Sequence, residues 1–269
     1  MAHKTAISST KKSTVAKPAD AESTSKMSFV KTLKTSIKDK QFVSGIAAEG
    51  VGTFLFTLAF LQMQSSPLYL AFAVAGVILM VKGKGALHFN PAFTIAAWVT
   101  RKINVIKVIG NILAQVIGVV AAYFVIVGFL NGSTSTASFQ AAKIVEGKEW
   151  AILLAEFLGT AIFAFGFAAL SKSKHSKVEA ALTGGFAAMI GQYVAVTLII
   201  VSLGLQQAAN FTYMNPAIAI ASKAISFSTF WPSLIYIFVP IVAAVLGYAL
   251  QDLMKYKDGD CDCENCEVK

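Results

Sequence analysis

One triplet occurs twice in the chain and carries its strongest chemical signal: Asn90-Pro91-Ala92 and Asn215-Pro216-Ala217. Asn is a good N-cap because its side-chain oxygen accepts from a first-turn amide. Pro suits the first helical turn, where its missing N–H would be unpaired anyway. Each triplet therefore predicts a helix start. The apolar runs that follow, about 90–100 and 215–225, are short. Ten helical residues rise about 15 Å, half of a hydrocarbon core of about 30 Å. A helix end left in lipid would expose unpaired amides, so each must be buried in protein or face a water-filled cavity. Two ends abutting at the midplane meet that condition. They also aim two positive helix ends and two Asn amides at one point. Such a point repels cations and can donate hydrogen bonds to the oxygen of a neutral solute. The chemistry implied is selection rather than catalysis. No nucleophile–base pair, metal cluster or nucleotide loop argues for an enzyme.

Two acids stand out beside the triplets. Glu49 and Glu156 are the only acids inside the first and fourth apolar segments. An intramembrane carboxyl group marks a functional position by default, and a proton relay is one reading. One such Glu per half mirrors one triplet per half. Cys261, Cys263 and Cys266 form CxCxxC in an acidic tail. A soft metal needs a fourth ligand that is not nearby, so exposed thiols in a reducing compartment are favoured. No metal and no cofactor is expected.

The elements that must hold these residues follow from composition. Of 269 residues, 56% are hydrophobic and 14% charged. A soluble domain of this size carries about a quarter charged residues, so a membrane class is indicated. Apolar runs at about 42–62, 67–81, 103–130, 150–170, 178–203 and 231–254 predict six spanning helices, the second one short. The fold class is therefore an all-α membrane protein with two additional half-helices. Ala48-Glu49 followed by Gly52-Thr53 is repeated as Ala155-Glu156 followed by Gly159-Thr160, with a triplet in the corresponding place of each half. Three helices per half require opposite orientations of the halves, an inverted 3+3 repeat with broken helices meeting at the midplane. Gly110, Ala114, Gly118 and Ala122, and likewise Gly184 and Ala188, recur at four-residue spacing and predict close helix packing.

Three regions result: a basic tail 1–41, expected to be disordered; a channel domain 42–254, with halves of about 42–130 and 150–254; and an acidic Cys-containing tail 255–269. With an inner N-terminus, only Lys143, Lys148 and Lys223 of the 23 Lys and Arg fall outside. That bias places both termini in the cytoplasm. The Lys-rich tail has a single Phe, Phe29, too little to stack a run of bases, so it reads as a topology signal in contact with the bilayer rather than a nucleic-acid site. The expected location is the cell membrane, as a multi-pass protein.

The constellation resembles the major intrinsic protein family, the aquaporins and aquaglyceroporins. The resemblance covers roughly residues 42–254 and rests on AEGVGTFLF, GALHFNPAFTIA, AEFLGTAIFAFG and the second triplet. It implies six tilted helices around a central pore, assembled as a homotetramer with one pore per subunit. It implies that Glu49 and Glu156 hold the two pore loops, and His88 occupies its family place two residues before the first Asn. The family pattern NPARxxGP is broken: Ile218 takes the Arg position of the outer selectivity filter, and the Gly-Pro is absent. By spacing, the other filter positions are Phe72, Leu203 and Thr212, although the Phe72–Asn90 connection is about two residues shorter than in the family. A mostly apolar filter argues against strict water selectivity and leaves water, glycerol, urea or ammonia open. Lys223, on the second half-helix, reads as a headgroup lysine. The expected function is a passive channel for water or small neutral solutes, with cations excluded at the paired triplets. The alternatives are a family fold with a closed or altered pore in a structural or regulatory role, and an ion- or proton-coupled transporter.

Overall fold

The computed structural model describes residues 29, 31–63, 66–81, 87–131, 143–144, 146–170, 176–204, 208–225 and 230–254. The CxCxxC motif and residues 1–28 lie outside the described residues. Residues 31–38 are helical, so the basic tail is not uniformly irregular. Its segment Lys31–Lys38 contains neither Pro nor Gly, and the Thr35 hydroxyl donates to the Lys31 carbonyl one turn back.

From Lys40 onward the chain is all-helical among the described residues. The first half contains α1 (Lys40–Met63), α2 (Pro67–Val81), the short α3 (Pro91–Val99) and α4 (Val105–Asn131). The second contains α5 (Glu149–Ala169), α6 (Lys177–Leu203), a 3₁₀ turn at Ala208–Phe211, the short α7 (Pro216–Ala221) and α8 (Phe230–Leu253). Among the described residues, five helices are long and apolar enough to cross a bilayer. The sixth, α2, has only 15 residues, but its composition is as apolar as theirs. It rises about 22 Å. The expected order of spans and half-spans is borne out.

The helix ends follow from local chemistry. Ser176 and Glu179 form a reciprocal capping box at the start of α6, and Gly204, at φ 64°, closes its end. Pro240 has no N–H to bond back to Tyr236. The backbone accommodates it with a π-turn at Leu234–Phe238, in which the Val239 N–H reaches the Leu234 carbonyl five residues back.

Helix α5 packs on α6 and α8, and α2 packs on α6. Each half-helix lies against the last helix of the opposite half, α3 on α8 and α7 on α4. The small-residue row of α4 faces α1: Gly110 meets Ile46, and a Cβ on Gly118 would lie 2.4 Å from the Gly50 carbonyl. That approach is closed to any other residue. Trp150 and Trp231 stack edge-to-face at 5.4 Å, at the end of the bundle where α5 and α8 begin.

Candidate pore and selectivity site

The two half-helices start in the same way. Asn90 (φ −155°) and Asn215 (φ −150°) are extended N-caps whose side-chain oxygens accept from Ala92 N and Ala217 N at 2.9 and 3.1 Å. Pro follows each at the first helical position. The other end of each Asn amide crosses to the opposite half. Asn90 Nδ2 donates to the Met214 carbonyl at 2.7 Å, and Asn215 Nδ2 donates to the Phe89 carbonyl at 2.9 Å. The two helix starts are thus joined by an exchanged pair of hydrogen bonds.

Phe89 and Met214 turn their carbonyls toward the opposite Asn only by adopting positive φ, 55° and 50°. A non-Gly residue in that region costs about 1–3 kcal/mol and persists where its surroundings over-determine it. Here they do. Glu49 accepts from His88 N at 2.6 Å and Phe89 N at 2.9 Å. Glu156 accepts from Tyr213 N and from Met214 N, the latter at 2.9 Å. In each half the Glu holds the two amides immediately before the Asn, and both acids are fully buried.

The repeated Gly-Thr also has a physical reason. A Cβ on Gly52 would lie 2.1 Å from the Phe89 ring, and one on Gly159 would lie 2.9 Å from Met214 Sδ. The glycine of each repeat clears the space that the residue before Asn needs.

The half-helices end alike as well. Arg101 (φ 59°) and Lys223 (φ 57°) sit in left-handed turns just past α3 and α7. Lys102 N bonds back to Ala97 O, and Ala224 N bonds back to Ala219 O. Lys223 is therefore in the closing turn and not on the helix itself, because α7 stops at Ala221.

Around this symmetric frame the two halves differ. In the first, Gln115 Nε2 donates to Glu49 at 2.8 Å and to Thr94 Oγ1 at 2.9 Å. His88 Nδ1 lies 3.2 Å from Thr94 Oγ1 and 3.3 Å from Asn111 Nδ2. In the second half the corresponding surroundings are aromatic: Tyr213 meets Tyr236 edge-on at 5.2 Å, and Tyr236 OH donates to Phe211 O at 3.2 Å.

Of the four expected filter residues, the structure brings Thr212 and Ile218 together and leaves Phe72 and Leu203 apart from them. Phe72 is 69% exposed, while Leu70 on the same helix is fully buried. Thr212 and Ile218 are buried beside the second triplet. The α6 residue that reaches Thr212 is Gln192, which donates to its hydroxyl at 2.9 Å. Leu203 is eleven residues further along α6, about 16 Å by helical rise, so it does not join them. The connector to Asn215, which includes the 3₁₀ turn, leaves Leu203 at the end of α6. A usable signal was present: Gln192 is a lone amide among apolar residues in a spanning helix. Asn111 and Gln115 carried the same signal in α4.

The profile of the major intrinsic protein family matches residues 36–250. The chain is 28% identical over 227 residues to the glycerol uptake facilitator protein-like 6 of Lactiplantibacillus plantarum, covering 78% of this chain and 98% of that protein. It is 25% identical over 198 residues to aquaporin PIP2-7 of Arabidopsis thaliana, covering 65% of this chain and 70% of that one. Among solved structures, the aquaglyceroporin of Plasmodium falciparum superposes with a TM-score of 0.56 at 17% identity, covering 78% of this chain and 93% of that one. That likeness concerns the fold. With a family profile spanning most of its length and a membrane-spanning helical body, the chain belongs to the major intrinsic protein family and is a multi-pass membrane channel, not an enzyme.

Proposed function

We propose that the chain is a passive channel for water or small neutral solutes such as glycerol, urea or ammonia, whose route passes the meeting point of Asn90 and Asn215. The observation that carries this reading is the exchanged hydrogen-bond pair between the two half-helix starts. It sets two positive helix ends against each other, a device that disfavours cations and protons. Pro91, Ala92, Pro216 and Ala217 build those helix starts. The similarity to proteins named for glycerol uptake and as an aquaporin supports the solute class.

The filter we propose consists of Leu70, Gln192, Thr212 and Ile218. Leu70 lies two residues before Phe72, which removes the shortfall in the connection to Asn90. This filter has one amide and one hydroxyl but no cation, so it offers a solute hydrogen bonds from one wall and an aliphatic surface from the other. Glu49, Glu156 and His88 act as loop supports. The acids have their oxygens occupied by fixed backbone donors, which favours that role over proton relay.

We further propose a homotetramer in the cell membrane with both termini cytoplasmic, the last supported by the distribution of Lys and Arg. Mass determination of the detergent-solubilised protein, after subtraction of bound detergent, tests the tetramer.

Stopped-flow swelling of proteoliposomes in water, glycerol and urea tests the filter. Ile218→Arg raises the ratio of water to glycerol flux, and Gln192→Leu lowers water flux. Ratios unchanged by both substitutions would remove these residues from the filter.

A further inference from the structure

The frame that places Ile218 at the filter also identifies its partner. Ile218 is the third residue after Asn215, and Phe93 is the third after Asn90. Both are fully buried. Phe93 therefore stands on the opposite side of the Asn pair, about 4.5 Å along α3 toward Arg101 and Lys102.

The chain puts more rings there. Phe56 is seven residues after Glu49, and Phe163 is seven after Glu156. Seven residues are close to two helical turns, so each Phe lies on the face that its Glu presents to the pore loops. The ring centroids of Phe93 and Phe163 are 4.9 Å apart at 76°, and those of Phe163 and Phe167 are 4.8 Å apart at 83°. Phe93 is 5.3 Å from Phe167, and Phe56 is 6.2 Å from Phe163. These are the tilted and edge-to-face arrangements that aromatic pairs favour. None of the four is more than 2% exposed, and Leu70, Gln192, Thr212 and Ile218 are equally buried, so a water-sized sphere reaches neither the rings nor the filter side chains in this structure.

We propose that Phe93, with Phe163 and Phe167, forms a second constriction one turn from the Asn pair on the Lys102 side, and that this aromatic contact limits the size and rate of what permeates. Three rings in mutual contact offer water no hydrogen bond, and a narrow apolar passage closes by dewetting. In this structure the three rings touch. Permeation requires Phe93 to separate from Phe163, and a smaller side chain at either position leaves the passage open. In this arrangement the hydroxyl, amide and aliphatic groups near Thr212 choose among solutes, and the rings set the throughput.

The inference rests on the channel reading, and the experiment separates the two. Purified full-length protein, Phe93→Val, Phe163→Val and the double variant are reconstituted at matched density. Water and glycerol fluxes are measured by stopped-flow light scattering. Phe124→Val, on an exposed face of α4, serves as the control. The expected result is a rise of about tenfold in water flux for Phe93→Val, with a lower water-to-glycerol ratio, and no change for Phe124→Val. Either single variant suffices should the other fail to fold. If wild-type protein conducts above protein-free vesicles and neither variant that folds changes rate or ratio, the constriction is overturned and the channel reading stands. If neither wild type nor any folded variant conducts, both fall together.

Discussion

The two halves of the channel share a backbone frame and differ in what surrounds it. Each has an Asn cap, a left-handed residue before it, a Glu holding two loop amides and a Gly clearing space for the left-handed residue. The first half surrounds its Glu with the amides of Gln115 and Asn111, the hydroxyl of Thr94 and the ring of His88. The second surrounds its loop with Tyr213, Tyr236 and Phe211, and puts Ala219 where the first has Thr94. The frame is therefore what the architecture needs twice. The surroundings differ, and in the route we propose they set Phe93 on one side of the midplane and Gln192, Thr212 and Ile218 on the other.

Breaking the shared frame should have the largest effect. Asn90→Ala and Asn215→Ala each remove a cap and orphan a buried carbonyl of the opposite half. Each is expected to lower stability by about 2–4 kcal/mol. Because the bonds are exchanged, the two losses should be similar, and a double-mutant cycle should show coupling of about 0.5–3 kcal/mol. Thermal unfolding in detergent checks this. Strongly unequal single effects would mean the halves do not meet symmetrically.

The two Glu residues sharpen the contrast. Glu49 uses both oxygens for three donors, His88 N, Phe89 N and Gln115 Nε2. Glu156 has one oxygen, Oε1, within reach of both Tyr213 N and Met214 N, the second at 3.2 Å. A Gln at position 156 can keep both amides on one oxygen, whereas a Gln at 49 turns an N–H₂ toward donors. Glu49→Gln should therefore cost about 1–3 kcal/mol and Glu156→Gln less than about 1 kcal/mol. Neither should create proton coupling. Equal losses would contradict the hydrogen-bond assignment.

A comparable effect is expected at the cleared space. Gly52→Ala drives a methyl group into the Phe89 ring and should cost about 1–3 kcal/mol. Phe89→Leu in the same chain should recover part of that loss, read again by thermal unfolding.

The smallest effect lies at the ends of the half-helices. Lys102 Nζ pairs with Asp252 at 2.6 Å and lies 5.3 Å above the Tyr248 ring, whereas the second half has Ala224 in the corresponding place. The pair is partly exposed, so Lys102→Met should cost no more than about 1 kcal/mol, and less at high salt.

Most of the fold was legible in the sequence because lipid imposes it. A span must be long and apolar, a half-span must be capped and paired, and positive charge marks one side, so residues 42–62 or 215–221 declare themselves. The site was legible where it depends on the frame: Asn90, Asn215, Glu49 and Glu156 repeat at matching places. It was not legible where it depends on connector length and helix rotation. Phe72 and Leu70 are two residues apart on one helix and face opposite ways, a distinction that needs the packing of α2 on α6. Gln192 was hidden by the long connector before Asn215. The π-turn that settles Tyr236 beside Phe211 follows from the missing N–H of Pro240, but Pro alone does not say whether a helix kinks, breaks or bulges.

The central claim is that neutral solutes pass the Asn90–Asn215 meeting point while protons do not. Stopped-flow light scattering on vesicles that also enclose a pH-sensitive dye measures both at once, with wild type and Phe93→Val side by side. The account predicts water or glycerol flux above that of protein-free vesicles, faster in the variant, while an imposed proton gradient decays no faster than in protein-free vesicles. A proton leak that grows in step with solute flux would contradict it.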